Sequence, residues 1–366
     1  SQAELLALQQ ALTGADYFAV VNVQPQVRDG ADAIVDVTVQ LVPAKRSIYT
    51  GGPFVGTDTG VGVRAGLERR WVNRRGHKWK NELVLAQRLK TVSTLYTIPL
   101  PGPNQRSYNI GANYRDADTR TSQSRTLEVV ANETRQWHGW TRTLGVHALT
   151  GTFTVGKRGD EADDAPGIDH GRSKLLFAEA ALIKKQADNA EFVRHGWMLQ
   201  LVGRSTLGPL LSDTRYTQII ADAKWIRALG RRNRLILRGS FGQISTGDFS
   251  KLPPQLRFFA GGDRSVRGYG FQSLGPRNAY DRVVGGRNLT VLSGEVEHYF
   301  TRNWGMAAFV DTGNAFNGTD YRPKIGAGLG LRWRSPVGMI RVDLGVPVHN
   351  PDAHGVQLHL VIGPDL

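Results

Sequence analysis

The chain has 366 residues and no cysteine, and its 46 Lys and Arg exceed its 32 Asp and Glu, which gives a formal charge of +14. The lack of cysteine excludes a disulfide scaffold and a thiolate metal site. The basic excess is compatible with nucleic acid, anionic lipid or a charged interior, but no basic helix with interleaved aromatic residues supports nucleic acid. No charge-free apolar run of about 18 residues is present, so any membrane crossing must use strands.

Residues 1–46 are predicted to form a helix and two strands. Leucine recurs at helical spacing over residues 3–12, and two apolar runs follow at 17–27 and 34–42, separated by an Asp-Gly turn signal. A unit of this size is too small to bury a core alone, so we expect further sequence to precede it in the intact protein. Because the chain opens directly into polar sequence, we also expect any signal peptide to have been removed.

From residue 47 onward the pattern changes to short segments of alternating polarity, separated by turns rich in Gly, Asn, Asp and Pro. The clearest segment is 324–334, in which Ile, Ala, Leu and Trp alternate with Lys, Gly and Arg, and the segments 340–346 and 356–362 behave alike. One face of such a strand suits lipid and the other suits a polar lumen. A soluble β-sandwich also alternates, but inward-facing charge favours the transmembrane barrel.

The number and spacing of these segments predict the architecture. We count about sixteen, with connections that are short on one side and long on the other, as in bacterial outer-membrane barrels. The longest connections are 156–173 and 247–287. The sequence therefore predicts an all-β membrane protein, an antiparallel transmembrane β-barrel over 47–366 with a small α+β unit, 1–46, in the periplasm.

The alternation also predicts which polar residues line the barrel. In the segment that ends at Gly313, Phe309, Asp311 and Gly313 share the inward parity. Glu295 and Glu297 share one parity on the preceding segment and are expected to extend the same polar network. A carboxylate facing the lumen without a cation is costly, and an arginine can offer it two parallel hydrogen bonds.

Two motifs resemble the hallmarks of one protein family. The chain reads FAGGDRSVRGYG at 259–270, inside the longest connection, and FVDTG at 309–313. These resemble the paired motifs of the superfamily of outer-membrane assembly factors and two-partner secretion transporters. The sequence at 257–276 is most similar to the TamA family, the outer-membrane subunits of the translocation and assembly module. The resemblance to this family continues in TDTG at 57–60, WVNRRGH at 71–77, RSPVGMIRVDLGVP at 334–347 and GPDL at 363–366.

The resemblance implies that the connection 246–287 folds back into the barrel and that its arginine meets the aspartate of the inner wall. Arg267 is then the partner of Asp311, and Arg267→Ala is expected to leave an assembled barrel with a displaced loop and lost activity. Taken alone, VRGY would favour a glycine-rich surface hairpin, and the FVDTG motif reverses that preference. The expected loop tip is Val266, Arg267, Gly268, Tyr269 and Gly270, in which the glycines, with Gly261 and Gly262, supply positive φ and the tyrosine ring packs.

Barrel closure requires the first strand, 48–55, to pair with the last, 356–362. Few hydrogen bonds are expected there, because proline cannot donate to a ladder and glycine weakens a strand. An openable seam would let a client strand pair with the free edge, whereas the alternative is a merely bent edge, and the sequence leaves both open. We expect the first strand to be interrupted at Gly51, Gly52 and Pro53 and the last to stop at Gly363 and Pro364, which weakens the seam.

The resemblance further implies a function. We expect a factor in the bacterial outer membrane that aids insertion or secretion of autotransporter-like β-barrel clients, in contact with lipid and with a TamB-like partner anchored in the inner membrane. By the same likeness, residues 1–46 are the end of a periplasmic POTRA domain. The alternative is a two-partner-secretion pore that exports one dedicated partner through its lumen.

Signals for enzymatic or metal chemistry are weak. No G-x-S-x-G elbow and no paired carboxylates in a plausible pocket are found, so we expect no enzyme and no cofactor, and an outer-membrane lipase is a remote rival. His349, His354 and His359 recur every five residues but straddle a turn, so we expect solvated side chains and no metal. Three alternating glycines at 326–330 are expected to face inward and pack against the loop.

Overall fold

The computed structural model consists of a small N-terminal unit followed by one 16-stranded antiparallel sheet. Among the residues that it describes, no helix is both long enough and apolar enough to cross a bilayer. The described residues are 2–26, 35–56, 59–102, 105–156, 167–189, 192–208, 211–335, 338–348, 355–363 and 365.

The N-terminal unit contains helix α1 (Gln2–Gly14) and a hairpin of β1 (Phe18–Gln26) and β2 (Asp36–Pro43). The predicted helix and two strands are thus present, while the Asp-Gly turn lies outside the described residues. The unit contacts the barrel turn at 70–77: Tyr17 Oη donates to the Gly76 carbonyl oxygen at 2.6 Å, and Arg70 Nε lies 3.0 Å from Asp16 Oδ2. We call the end of the barrel that touches this unit the proximal end, and the opposite end the distal end.

The sheet follows chain order from β3 to β18, and every neighbouring pair of strands is antiparallel. The prediction of a sixteen-stranded antiparallel barrel is confirmed. Its strands are β3 (Ser47–Gly56), β4 (Gly60–Arg69), β5 (Lys78–Ala86), β6 (Leu89–Pro99), β7 (Ser107–Asp118), β8 (Ser122–Trp137), β9 (Trp140–Val155), β10 (Asp169–Ala187), β11 (His195–Thr206), β12 (Tyr216–Leu229), β13 (Asn233–Thr246), β14 (Asn288–Tyr299), β15 (Trp304–Phe316), β16 (Lys324–Ser335), β17 (Gly338–Val348) and β18 (Gln357–Gly363).

Burial alternates along the strands because successive side chains point to opposite faces of a sheet. In β15 the residues with odd numbers from Gly305 to Gly313 are buried inside the barrel, whereas Met306 and Val310 are more than half exposed on the outer wall. The outer wall is rich in large apolar side chains such as Leu329 and Leu344. An apolar outside and a polar inside are the arrangement that a bilayer requires of a barrel.

The two ends of the barrel differ. All eight tryptophans lie in the proximal half, and cross-strand pairs such as Trp304 and Trp333, whose rings stack with centroids 5.3 Å apart, form part of an aromatic belt. The connections at this end are short. The longest connection of the chain, 247–287, lies at the distal end between β13 and β14.

The first and last strands, β3 and β18, are the two ends of the sheet order, and no ladder joins them in the described part of the chain. β18 has seven residues and is the shortest strand of the sheet. The expectation that Gly51–Pro53 interrupt β3 is wrong, because these residues pair continuously with Ala65–Val63 of β4. An edge strand tolerates proline, since the missing N–H removes no bond on the open side. β18 ends at Gly363 as expected, and Pro364 lies outside the described residues.

Candidate functional site

The connection 247–287, which we call the lumen loop, packs inside the barrel. A short 3-10 helix, Pro254–Leu256, begins its inward course. Near this helix the loop buries an apolar cluster against the distal half of the wall, which removes apolar surface from water and anchors the base of the loop. The cluster joins Leu252, Leu256 and Phe258 of the loop to Leu149, Leu175, Phe177, Tyr216, Ile244 and Ala315 of the wall.

The tip of the lumen loop is held by Arg267, whose side chain is 3% exposed. Its Nε donates to Asp311 Oδ2 at 2.7 Å and its Nη2 donates to Asp311 Oδ1 at 3.0 Å, so the carboxylate is bound by two parallel bonds. The backbone N–H of Arg267 also donates to Asp311 Oδ2 at 3.0 Å. The structure thus brings together the two residues that the motifs pair, and it adds a main-chain contact that fixes the tip.

Arg267 also contacts two further carboxylates. Its Nη1 lies 2.6 Å from Glu295 Oε2 and 2.9 Å from Asp343 Oδ2, and its Cζ lies 3.5 Å from the ring centroid of Phe309. The Phe309 ring covers the face of the guanidinium group, and the carboxylates accept hydrogen bonds at the edge of that group. Arg267 thus combines cation–π stacking with ion pairing. One loop residue therefore contacts β14, β15 and β17 together.

A second arginine, Arg332 of β16, connects the same carboxylates from the wall. It lies 2.7 Å from Glu295, 3.0 Å from Glu297 and 2.5 Å from Asp343. The sequence reasoning named Glu295 and Glu297 but passed over Arg332 and Asp343. Both share the inward parity that identified Asp311, and this signal was sufficient to find them.

The ion pairs continue toward the proximal end. Arg234 of β13 binds Glu297 and also Asp365, whose Oδ2 lies 2.7 Å from Arg234 Nη1, and Arg341 lies 2.5 Å from the same carboxylate. Burial favours the neutral form of Asp365, but Arg234 and Arg341 outweigh it and hold the pKa of this carboxyl below its usual value. Asp365 therefore attaches the chain beyond β18 to strand β13.

Five arginines and five carboxylates of the described residues make up this connected group, which we call the ion cluster. The balance matters because an unpaired charge in such an interior is strongly unfavourable, and removing one partner of a buried pair costs about 3–5 kcal/mol. Its members are Arg234, Arg238, Arg267, Arg332, Arg341, Glu295, Glu297, Asp311, Asp343 and Asp365.

Glycine allows the loop tip to approach the wall. Gly268 has φ +93°, and a Cβ on Gly326 of β16 would lie 1.7 Å from the carbonyl oxygen of Arg267. Val266 and Tyr269 on either side are buried in an apolar cluster. Of the four glycines expected to have a positive φ, Gly261, Gly262 and Gly268 have one, whereas Gly270 does not.

The remaining wall glycine of the motif, Gly313, serves the wall itself. It lies one pleat beyond Asp311 on the inner face of β15. A Cβ at this position would lie 2.4 Å from the carbonyl oxygen of Thr290, so the glycine allows close packing against β14.

His359 of β18 was expected to be solvated, and that expectation is wrong. Its side chain is buried, its Nε2 accepts the Gly268 backbone N–H at 3.0 Å, and its Nδ1 lies 2.5 Å from Asp263 Oδ1. This pattern gives the ring a donor on Nδ1 and an acceptor on Nε2. The last strand of the barrel is therefore bonded directly to the loop tip. His349 and His354 lie outside the described residues.

Comparison with known proteins identifies the family of this barrel. A family model described as the Omp85 superfamily domain matches residues 58–365, which include the lumen loop and the whole wall that binds it. The chain belongs to the Omp85 superfamily. This Omp85 barrel is an outer-membrane protein of Gram-negative bacteria, and because the short turns of such barrels face the periplasm, its proximal end is the periplasmic end.

The proteins similar to this Omp85 barrel include BamA proteins and a CdiB protein. Outer membrane protein assembly factor BamA of Nitratidesulfovibrio vulgaris is 26% identical over 201 residues, which cover 52% of this chain and 25% of the relative. The chain thus spans only a quarter of that protein. BamA from Haemophilus ducreyi lacking POTRA domains 1–3 has a TM-score of 0.79 at 17% identity, over 100% of this chain and 79% of the other. CdiB from Escherichia coli has 0.63 at 14%, over 98% and 69%. The two structural likenesses concern the fold.

Gly326→Ala tests the contact between loop tip and wall. The added Cβ meets the Arg267 carbonyl, so we expect overpacking to cost about 1–3 kcal/mol and to displace the tip. Thermal unfolding in detergent and cleavage of the lumen loop by added protease measure these effects. Gly294→Ala is the control, since its Cβ meets only a Leu237 side-chain atom at 3.8 Å. Equal behaviour of the two variants would contradict the close contact.

His359→Leu tests the bond between last strand and loop tip. The substitution leaves the Gly268 N–H buried without an acceptor, which costs about 1–3 kcal/mol, so amide exchange over 357–363 is expected to accelerate. His359→Gln, which keeps one acceptor, is expected to exchange more slowly than His359→Leu. Gln357→Leu on the same face of β18 serves as control, and an equal acceleration in that variant counts against the assignment.

Proposed function

We propose that the chain is the membrane-embedded part of a TamA-type assembly factor, which aids the insertion or secretion of autotransporter-like β-barrel clients through the seam between β3 and β18. The observation that carries the proposal is the unpaired seam. The described residues place β3 and β18 at the two ends of the sheet with no ladder between them. Free backbone N–H and C=O groups at such an edge are costly in lipid, and a client strand can satisfy them by β-augmentation.

The TamA-type role is more specific than membership of the superfamily, and sequence similarity supports it. The stretch RFFAGGDRSVRGYGFQSLGP at 257–276 and the segments at 57–60, 71–77 and 334–347 resemble that family throughout the barrel. We further propose that residues 1–46 are the end of a POTRA domain. Tyr17, which joins their helix to the hairpin, and Arg46, which follows the hairpin, contact the turn at 71–77, so the unit is held close to the barrel mouth. By the same resemblance the partner is TamB-like and anchored in the inner membrane.

We propose that this activity needs no covalent chemistry, so that the protein is not an enzyme. The carboxylates of the ion cluster are each paired with at least one guanidinium, which suits a structural role better than proton transfer. The work of insertion then comes from exchanging unsatisfied seam groups for client hydrogen bonds.

A reversible crosslink across the seam tests the proposal. The chain has no cysteine, so Tyr49→Cys and Leu360→Cys, both on the outer wall, can be joined by a reducible bifunctional maleimide. His359 is left intact because it holds the loop tip. We expect the joined protein to lose insertion of an autotransporter β-domain into proteoliposomes and to regain it on reduction.

The control places the same crosslink across a closed ladder. Met306 and Leu331 face each other on the outer wall of β15 and β16, and their cysteine variants should retain activity when joined. Full insertion activity of the protein crosslinked between positions 49 and 360 would contradict the seam mechanism.

A secretion pore is the second candidate, favoured by the fold shared with CdiB. Such a pore moves its cargo through the lumen, which the lumen loop and the ion cluster occupy in this structure. Large, sustained single-channel conductance after removal of the lumen loop, together with unimpaired export in the seam-crosslinked protein, would favour the pore.

A further inference from the structure

A second group of arginines lies at the periplasmic end, beside the ion cluster. Residues 188–189 and 192–195, together with the turns at 229–233 and 299–304, line a cavity of about 720 Å³ beside the inner face of β16. We call it the rim cavity. Among the described residues, six arginines line it, against one aspartate, Asp188. They are Arg194, Arg231, Arg232, Arg234, Arg302 and Arg334.

Most of this positive charge has no carboxylate partner. Arg234 belongs to the ion cluster, but none of the other five pairs with a carboxylate within the described ranges. Arg194 donates instead to the carbonyl oxygens of Gly230 and Arg231, and Arg334 donates to that of Arg302. Asp188 is engaged by the backbone N–H groups of Arg194 and His195. The arrangement orders several guanidinium groups around one space, and the described carboxylates compensate only a small part of their charge.

An aromatic side chain forms part of the cavity wall. The ring of Phe192 lies between two guanidinium groups, with Arg234 Cζ 4.1 Å and Arg334 Cζ 4.0 Å from its centroid. Phe300, 46% exposed, also lines the space. The ring holds the two arginines in place, and the exposed aromatic surface offers an apolar contact to a ligand.

The cavity belongs to the inside of the barrel mouth. Arg334 has the parity of Arg332, which faces the lumen, and Arg234 is buried among lumen residues. A lipid headgroup lying against the outer wall therefore does not reach Arg234 and Arg334. An extended peptide does, because it can enter from the periplasm and place alternate carboxylates about 7 Å apart along one face.

We propose that the rim cavity binds an acidic segment of a periplasmic partner protein. Bidentate guanidinium–carboxylate pairs supply the specificity, and Phe192 and Phe300 receive an apolar side chain of the same segment. The rim cavity lies at the proximal end of the barrel, which also contacts the N-terminal unit. A partner bound there lies beside Asp365, which binds Arg234 of the wall. The inference rests on the charges and geometry of the cavity and does not depend on the proposed seam function.

Binding of a model acidic chain tests the site directly. The full chain, held in nanodiscs of zwitterionic phosphatidylcholine, is titrated against fluorescein-labelled poly-L-glutamate, with anisotropy as the readout and poly-L-glutamine as the uncharged probe. Arg231→Gln with Arg302→Gln removes two exposed side chains that form no ion pair in the described structure. We expect a Kd for poly-L-glutamate weaker by about tenfold, because each charged contact contributes strongly in a partly enclosed site.

The matched control removes the same charge elsewhere at the same end. Arg74→Gln with Arg75→Gln alters two exposed arginines of the turn at 71–77, outside the rim cavity, and the Kd is expected to change by less than about twofold. If both double variants weakened the Kd for poly-L-glutamate equally, the effect would follow from net charge alone, and the proposed binding site would be wrong. Loss of binding to phosphatidylglycerol vesicles in Arg231→Gln/Arg302→Gln, with poly-L-glutamate binding unchanged, would overturn the peptide assignment in favour of a lipid phosphate.

Discussion

Buried carboxylates on the inner wall are the constraint on which the rest of this barrel depends. Asp311, Glu295 and Asp343 project from three strands into one space, and their charges require a cation that the wall supplies only in part through Arg332. Arg267 arrives from the lumen loop and completes the set. Because an uncompensated charge there is so unfavourable, the loop is bound in one register, and its position is specified more sharply than apolar packing alone would achieve.

The same contact connects the loop to the seam. Through Arg267, Tyr269 and Gly268 the tip binds the consecutive strands β14 to β17, and His359 adds β18. The strands nearest the seam on one side are therefore joined through the loop, in addition to their ladders. Asp365 makes a further tie from the chain beyond β18 to β13. A seam with few hydrogen bonds of its own can remain ordered because these contacts join the last strand to the loop tip and to the wall.

Much of this was predictable from the sequence. Period-two alternation gave the strand number and the inward parity of Asp311, because a pleated strand has only two faces. The same parity places Arg332 and Asp343 on the inner wall, so these two residues were also predictable from the sequence. His359 and Asp365 were not accessible in this way, because their partners, Gly268 and Arg234, are more than 90 residues away along the chain. The continuity of β3 through Pro53 was also missed, since an edge strand relaxes the rule that applies to central strands.

The central claim is that Arg267 and Asp311 stabilise the barrel as a coupled pair. A double-mutant cycle with Arg267→Ala, Asp311→Ala and the combined variant, followed by urea unfolding in detergent, measures this directly. The account predicts that the double variant loses less stability than the two single variants together, with a coupling of at least about 1 kcal/mol. Strictly additive losses would contradict it, because they would mean that the loop tip and the wall carboxylate contribute independently.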